Sequence, residues 1–534
     1  MFAVSSKTRL FSLIHYTEIF YSSINSNKNK LVIPFSVGKF GIFQKMSCSS
    51  KNSNYLPKPP SILVYTNDDV EKFNKVNDSI LKVIPSDTYT TRHIDTNTLK
   101  MSNWIESSTK CLVLSNIDKL EQESIDSINN FIKENGKIII QDSKCQELFE
   151  NNNVINDDNK KIDELLREIG LDIDLRSETK KLTTSYLISD KDERIFDIVG
   201  LKFSEKLGDK PKILIIPQRD DSNDKGEEIE TTEDLLNVKL LTMKKEIPHF
   251  NINEYFTNLH TKKLGRLLLH SDVCTTTLDI NNALLAAFPK NTSPIVVAAN
   301  CQTSGIGRSG NQWISPKGCL MFSYNYDISS DSFLSKRITF IQHILVVAIV
   351  DAIHSLVDVE DLPLKIKWPN DIYWDRKYKM GGIIVKCSIV RDNYRCIIGA
   401  GINISNEKPT VCLNQFLREL YGIELSLELV LAEIMNKFEE HVKIFEEYDY
   451  EAFLENYYKY WLHKDEEVFV KGVSVAGNDI DNDDKLNEYC IIRGINEFGY
   501  LKVQGKESGV GFTVSDDGNT FDMMKGLIKT KSNY

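Results

Sequence analysis

Glycine stands at positions 305, 307 and 310, directly downstream of the apolar run Ile295-Val296-Val297-Ala298-Ala299. That order constrains the fold. A short buried strand runs into a loop whose backbone turns freely and can come close to a ligand. Successive N–H groups in such a loop can cradle an anion. Arg308 adds a permanent guanidinium suited to phosphate or carboxylate, and Trp313 a broad apolar surface beyond it. Taken alone, the pattern also fits a mobile glycine turn between two strands.

Length and composition narrow the classes. A chain of 534 residues is too long for one core, so two to four domains are expected. The hydrophobic fraction of 41% is that of a globular protein. No run of eighteen apolar residues occurs, so no membrane span is expected. The net charge of −11 argues against general nucleic-acid binding. Ten cysteines without a Cys-x-x-Cys, and nine histidines without close pairs, argue against a structural metal site and a disulfide framework. A reducing compartment follows, with a cytoplasmic location.

Residues 1–45 are basic, Ser-rich and nearly acid-free, with Glu18 the single acid. That composition fits a mitochondrial transit peptide and equally a disordered basic tail. Met46 offers a second start, and Lys51 to Pro60 reads as a linker. From Ser61 the pattern is α/β. Ile62-Leu63-Val64-Tyr65, Cys111-Leu112-Val113-Leu114 and Lys137-Ile138-Ile139-Ile140 are strands of buried type. Between the last two lies a helix with Ile125, Ile128, Phe131 and Ile132 on one face and Gly136 ending it. Strand, helix, strand at this spacing implies a parallel sheet over a domain of residues 61–218. Asp220 to Asp234 holds eight acids against one lysine and reads as part of an exposed linker over 219–237.

Residues 262–462 read as the main α/β domain. Leu267 to His270 is a strand, and Thr275-Thr276-Thr277 offers an N-cap to a helix carrying Leu278, Leu284, Leu285 and Phe288. Ser332 to Val357 reads as one long core helix, and Leu364 to Trp374 as a strand ended by Pro369. Lys379 to Val390 and Tyr394 to Ile404 pair as strands, and Ser426 to Tyr448 is an amphipathic helix. Residues 463–534 break into short strands with a turn at Asp516-Asp517-Gly518-Asn519, the pattern of a small β-barrel.

Three stretches beyond the glycine loop decide between its two readings. They are Lys365-Ile366-Lys367-Trp368-Pro369-Asn370-Asp371-Ile372-Tyr373, Lys379-Met380-Gly381-Gly382-Ile383-Ile384-Val385 and Ile398-Gly399-Ala400-Gly401-Ile402-Asn403. With the loop, and in this order, they resemble the catalytic domain of biotin protein ligases. The Lys-Trp-Pro-Asn-Asp run and Pro409-Thr410-Val411-Cys412 are similar to the eukaryotic holocarboxylase synthetase type. The resemblance implies an α/β and α+β multidomain chain. Its parts would be an amidotransferase-like N-terminal α/β domain, a class II synthetase-like mixed-sheet catalytic domain and an SH3-like C-terminal β-barrel. Neither Cys111 nor Cys145 has the glycine neighbours a nucleophile turn needs, so the N-terminal domain reads as non-catalytic.

The implied reaction joins biotin to a lysine of biotin carrier domains of carboxylases (acetyl-CoA, propionyl-CoA, pyruvate and methylcrotonyl-CoA types) through biotinyl-5′-AMP, with ATP and Mg2+. Lys379 and Arg308 would be catalytic, holding the biotin carboxylate and a phosphate oxygen together. Thr275, Thr276, Thr277, Gln302, Ile306, Gly307 and Gly381 would join them at biotin. Trp313, Asn370, Asp371 and Asn403 would join Arg308 at ATP. Magnesium would rest on triphosphate oxygens and waters, with no protein metal site. Trp368 reads as structural. Relatives carry Arg or Lys where Ile306 stands, so one loop cation is missing, with Lys367 a candidate to compensate. The threonine triplet also lacks the family's asparagine. A lipoate–protein ligase and a catalytically silent scaffold are the alternatives, the latter supported only by Ile306. Whether the chain pairs as a homodimer is open, and neither DNA binding nor a membrane role is expected.

Overall fold

The computed structural model describes residues 58–530 apart from 85–87, 102–103, 142–147, 150, 157–159, 172–179, 192–210, 217–229, 242–245, 288–293, 309–310, 391–392, 475–484 and 524–525. The expectations for residues 1–45, Met46, Cys145 and Phe288, and for most of the acidic stretch, lie outside the described residues.

The first layer is a parallel sheet in the order β2-β1-β3-β4-β5. Its strands are β1 (Ser61–Tyr65), β2 (Thr90–His93), β3 (Thr109–Ser115), β4 (Lys137–Gln141) and β5 (Val154–Asn156). Helices α1 (Val70–Leu81), α2 (Thr96–Lys100), α3 (Gln122–Lys133) and α4 (Ile162–Glu168) accompany it. The strands are apolar on both faces because both are covered. Leu63, Leu112 and Ile138 pack with Ile128 and Phe131 of α3, and Ile62, Val113 and Ile139 pack with Ile80 of α1 and Leu165 of α4. Gly136 does not supply the left-handed residue after α3; Asn135 does, at φ 67°. Gly136 is there because a Cβ would meet the Phe131 ring at 2.5 Å. Cys111 is buried in this core and burial pushes its thiol up, the opposite of an activated nucleophile.

The second layer is a ten-stranded mixed sheet in the order β12-β13-β14-β15-β11-β10-β9-β6-β8-β7. Its strands are β6 (Ser185–Ser189), β7 (Lys212–Ile216), β8 (Leu235–Leu241), β9 (Leu267–Cys274), β10 (Ile295–Gln302), β11 (Cys319–Ile328), β12 (Leu364–Lys367), β13 (Asp371–Trp374), β14 (Tyr378–Val390) and β15 (Asn393–Asn403). The helices are α5 (Ile252–Asn258), α6 (Thr277–Ala287), α7 (Phe333–Lys336), α8 (Phe340–Val357), α9 (Leu413–Tyr421) and α10 (Leu427–Tyr460). Strands β6, β7 and β8 belong to this sheet through the β6–β9 pairing, so the expected boundary at 218 and a linker reaching 237 do not hold. Leu187, Val238 and Leu240 share a core with Leu269 and Val297, and that burial draws the segment in.

Two further expectations change. The stretch Leu364–Trp374 is a hairpin, β12 against β13, with Trp368, Pro369 and Asn370 in its turn. Proline donates no N–H, so it stands at the turn. The helix over 332–357 is broken between α7 and α8 at Arg337. Helix α8 is long and apolar enough to cross a bilayer, but 72% of it is buried in the protein. It lies between the sheet and α10, and Ile344, Leu345, Ile349 and Phe438 share one core. Ser426 caps α10 by accepting from the Leu429 N–H at 3.2 Å, and the helix runs on past Tyr448 through a kink at Asp449. A disulfide, Cys387–Cys396, joins directly opposed residues of β14 and β15, although the cysteine spacing gave no sign of one.

The third layer is a six-stranded sheet in the order β19-β18-β17-β16-β21-β20. It is formed by β16 (Glu467–Ser474), β17 (Lys485–Ile495), β18 (Leu501–Gly505), β19 (Gly511–Val514), β20 (Asn519–Asp522) and β21 (Leu527–Thr530). Trp368 ties it to the second layer: its indole N–H donates to the Gly499 carbonyl at 2.9 Å, and its backbone N–H donates to His463 Nε2 at 3.2 Å. Its structural assignment therefore holds.

Candidate active site

A cleft of about 580 Å³ opens over the ends of β10, β13 and β14, within the size range of small-molecule sites. The glycine loop forms one wall. Thr303 N–H donates to the Cys274 carbonyl and Ser304 N–H to the Thr275 carbonyl, both at 2.9 Å. Gly307 N–H donates to the Asn311 carbonyl at 2.6 Å, and Ile306 bridges Gln312. The loop is thus a small hairpin rather than a loose turn. These three N–H groups are engaged within the protein and do not form the open anion cradle expected of them. Ser309 and Gly310 lie outside the described residues.

Gln302 is buried rather than facing water. Its Oε1 accepts from Thr277 N–H at 2.8 Å and its Nε2 donates to Ser315 Oγ at 3.0 Å, which locks the loop to the start of α6. Thr276 caps that helix through its hydroxyl, 3.3 Å from Leu278 N–H. Thr276 and Thr277 line the cleft, but Thr275 does not; it serves the loop only through its carbonyl. Trp313 lines the cleft and packs on Gly401, where any Cβ would collide with the indole.

The hairpin β12–β13 and strand β14 supply the charge. Lys379 Nζ lies 2.6 Å from Asp371 Oδ1, and Lys367 Nζ 3.7 Å from Asp371 Oδ2. Burial works to raise the Asp371 carboxyl, but Lys379, Lys367 and Arg308 outweigh it and hold the group below the usual range. Burial lowers Lys367, with Asp371 opposing. Asp371 therefore lines the cleft and meets ammonium groups on both oxygens. Gly382, not Gly381, opens the space: its missing Cβ lies 3.3 Å from Asp371 Oδ1 and 3.6 Å from Lys379 Nζ. Gly381 is held inside the sheet, where a Cβ would sit 2.9 Å from the Gly401 carbonyl.

Arg308 reaches across the cleft. It donates through Nη1 to Asn370 Oδ1 at 3.0 Å and through Nη2 to Asp516 Oδ2 at 2.8 Å. Asn370 in turn donates to the Ile383 carbonyl at 2.5 Å. Asn403 lines the far side, with Nδ2 3.2 Å from Thr410 Oγ1. Lys367 lines the cleft half-buried, paired with Asp371 and set over the Phe521 ring. Sequence reasoning missed Asp516, whose signal was only that of a turn. Thr410 stood in a quoted motif without a role. Lys58, Arg92 and Glu106 of the first layer also line the cleft, and nothing in their spacing announced it. Among the described residues no cluster of three metal-ligating side chains occurs.

Residues 273–403, which carry the loop, the hairpin and β14–β15, match the biotin/lipoate A/B protein ligase family. The chain belongs to that family, and within it to the biotin–protein ligases. The human biotin–protein ligase is 35% identical over 290 residues, which is 53% of this chain and 38% of that one. Biotin–protein ligase 2 of Arabidopsis thaliana is 30% identical over 53% of this chain and 82% of its own length. The matched region thus spans well under half of the human relative and most of the plant one. A biotin protein ligase from Aquifex aeolicus, solved with biotin and ATP, is 23% identical over 46% of this chain and 95% of that one, with a TM-score of 0.35.

Proposed function

We propose that the chain is an ATP-dependent ligase that joins biotin to a lysine of biotin carrier domains of carboxylases by way of biotinyl-5′-adenylate. One observation carries the proposal: Lys379, Arg308, Asn370 and Asp371, from three separate segments, converge on one cleft roofed by the glycine loop.

Biotin's carboxylate is a poor acylating group. In the first step its oxygen attacks the α-phosphorus of ATP and pyrophosphate leaves. In the second the acceptor amine attacks the mixed anhydride and AMP leaves. Both steps gather negative charge, which fixed cations stabilise. Lys379, held on Asp371, bridges the biotin carboxylate and an α-phosphate oxygen. Arg308 leaves Asp516 for the phosphate. Thr276, Thr277, Gln302 and Gly382 shape the biotin end, while Asn370, Asn403 and Trp313 border the nucleotide. Magnesium, held by triphosphate oxygens and waters, would neutralise the leaving group; Asp371 is already paired with lysines. The last six strands serve as an SH3-like cap through Asp516, and the first layer as an amidotransferase-like, non-catalytic module.

Incubating the chain with ATP, biotin and a purified biotin carrier domain tests this by mass spectrometry. The acceptor should gain one biotinyl group. No gain while lipoate is transferred would favour a lipoate ligase, and no transfer of either would favour a silent scaffold.

A further inference from the structure

The catalytic walls carry little net positive charge for a triphosphate. Arg308, Lys367 and Lys379 face two carboxylates, Asp371 and Asp516, and the third layer adds Asp522 and Lys529, which offset one another. The glycine loop itself has one charged side chain in its described part, Arg308, since Ile306 presents an apolar group that is 37% exposed. The cleft is not bounded by those walls alone.

Strand β2 of the first layer docks on the loop. Thr91 N–H donates to Gln312 Oε1 at 3.3 Å, and Gln312 is the bridge partner of Ile306. The N-terminal strand therefore meets the loop at the point where its apolar residue stands. Thr90 and Arg92, on either side of Thr91 and sharing one strand face, both line the cleft. Lys58 lines it too, held by both oxygens of Glu106 at 3.1 and 3.0 Å. Arg92 is exposed and makes no ion pair among the described residues. Lys58 and Arg92 against Glu106 leave one further positive charge on this wall. Lys58 is near enough to act on the ammonium of Lys367, which places it in the same electrostatic field as the inner lysines.

We infer that the N-terminal layer completes the ATP site: Arg92, backed by Lys58, binds the polyphosphate end of the nucleotide beside Ile306. This rests on the function proposed above. The first layer is then a third wall of the active site. Its charge acts on ATP entry and pyrophosphate release, and the glycine loop needs only Arg308 for the α-phosphate.

The test uses the full chain and two readouts. Calorimetric titration with inorganic pyrophosphate, and separately with ATP, needs no turnover. Arg92→Gln should weaken both by about five- to tenfold, Lys58→Gln less, and Arg92→Lys least. The difference should shrink as ionic strength rises. Adding Ile306→Arg to Arg92→Gln should restore binding. The second readout, transfer to a carrier domain, should show a raised KM for ATP with the KM for biotin unchanged. Unaltered pyrophosphate and ATP affinity in Arg92→Gln would overturn the inference, whether or not the chain transfers biotin. A rise confined to the KM of the acceptor would also overturn it and assign Arg92 to acceptor docking. Failure of transfer with the pyrophosphate effect intact would count against the proposed reaction and leave the phosphate site standing.

Discussion

At the scale of single residues, the site turns on how two carboxylates hold three cations. Asp371 meets Lys379 at 2.6 Å, and Asp516 holds Arg308 at 2.8 Å. Lys379→Ala should lower kcat/KM for adenylate formation by about 100-fold or more, since the lost charge acts where charge develops. Asp371→Asn should also slow it, with the KM for ATP less affected than kcat, because the lysines lose their anchor rather than their charge. Steady-state kinetics of the first half-reaction separates the two. Gly401→Val would drive a branched side chain into the Trp313 indole and should remove activity with loss of thermal stability. Most of these residues were legible in the sequence because their motifs are contiguous. Lys379 announces itself by its glycines, and Arg308 by its loop. Gly381 and Gly382 could not be told apart, because facing the cleft or the sheet depends on a one-residue register between β13 and β14. Asp516 could not be read, since its partner lies 208 positions away.

At the scale of elements, local signals served helices better than strands. Ser426 and the apolar stripe that follows it placed the start of α10, whereas the same apolar density over 332–357 concealed the break before α8. Helix α8 also carries a pH-sensitive group. His343 is fully buried, donates through Nε2 to the Gly499 carbonyl at 3.1 Å, and is pushed down to about 4 by burial, with Asp516 opposing. His270 is likewise pushed down to about 4 by burial. An unfolded imidazole titrates near 6.5, so between about 6.5 and 4 the unfolded chain binds more protons than the folded one. Stability from these histidines is present above about 6.5 and is lost progressively as pH falls towards 4. Thermal unfolding followed from pH 7.5 to 4.5 should show a steady fall in Tm, and a flat profile would contradict the buried placement of both rings. Trp368→Phe should lower stability by ~0.5–1.5 kcal/mol through loss of the indole N–H bond to the Gly499 carbonyl, which keeps His343 as its other donor, measured by denaturant unfolding.

At the scale of the whole molecule, three sheets of different origin in the chain meet at one cleft. Composition and spacing separated an N-terminal α/β part, a central part and a run of short C-terminal strands. They did not show that β6, β7 and β8 join the central sheet, because that pairing depends on contacts between distant segments. Nor could they show that β2 touches the glycine loop. Ligand binding should couple these parts. Biotin with ATP should raise Tm by mass action, and ligand seated against the glycine hairpin should shield the described residues 303–308 from proteolysis. Equal cleavage with and without ligand would contradict this.

The most direct test is biotin-dependent exchange of pyrophosphate into ATP, run on the intact chain and on Lys379→Ala, with lipoate as the control acid. Exchange that requires biotin, is absent with lipoate and is lost in the variant is the predicted result. A folded, monodisperse chain that exchanges with neither acid would contradict the assignment of the cleft as an adenylate-forming site.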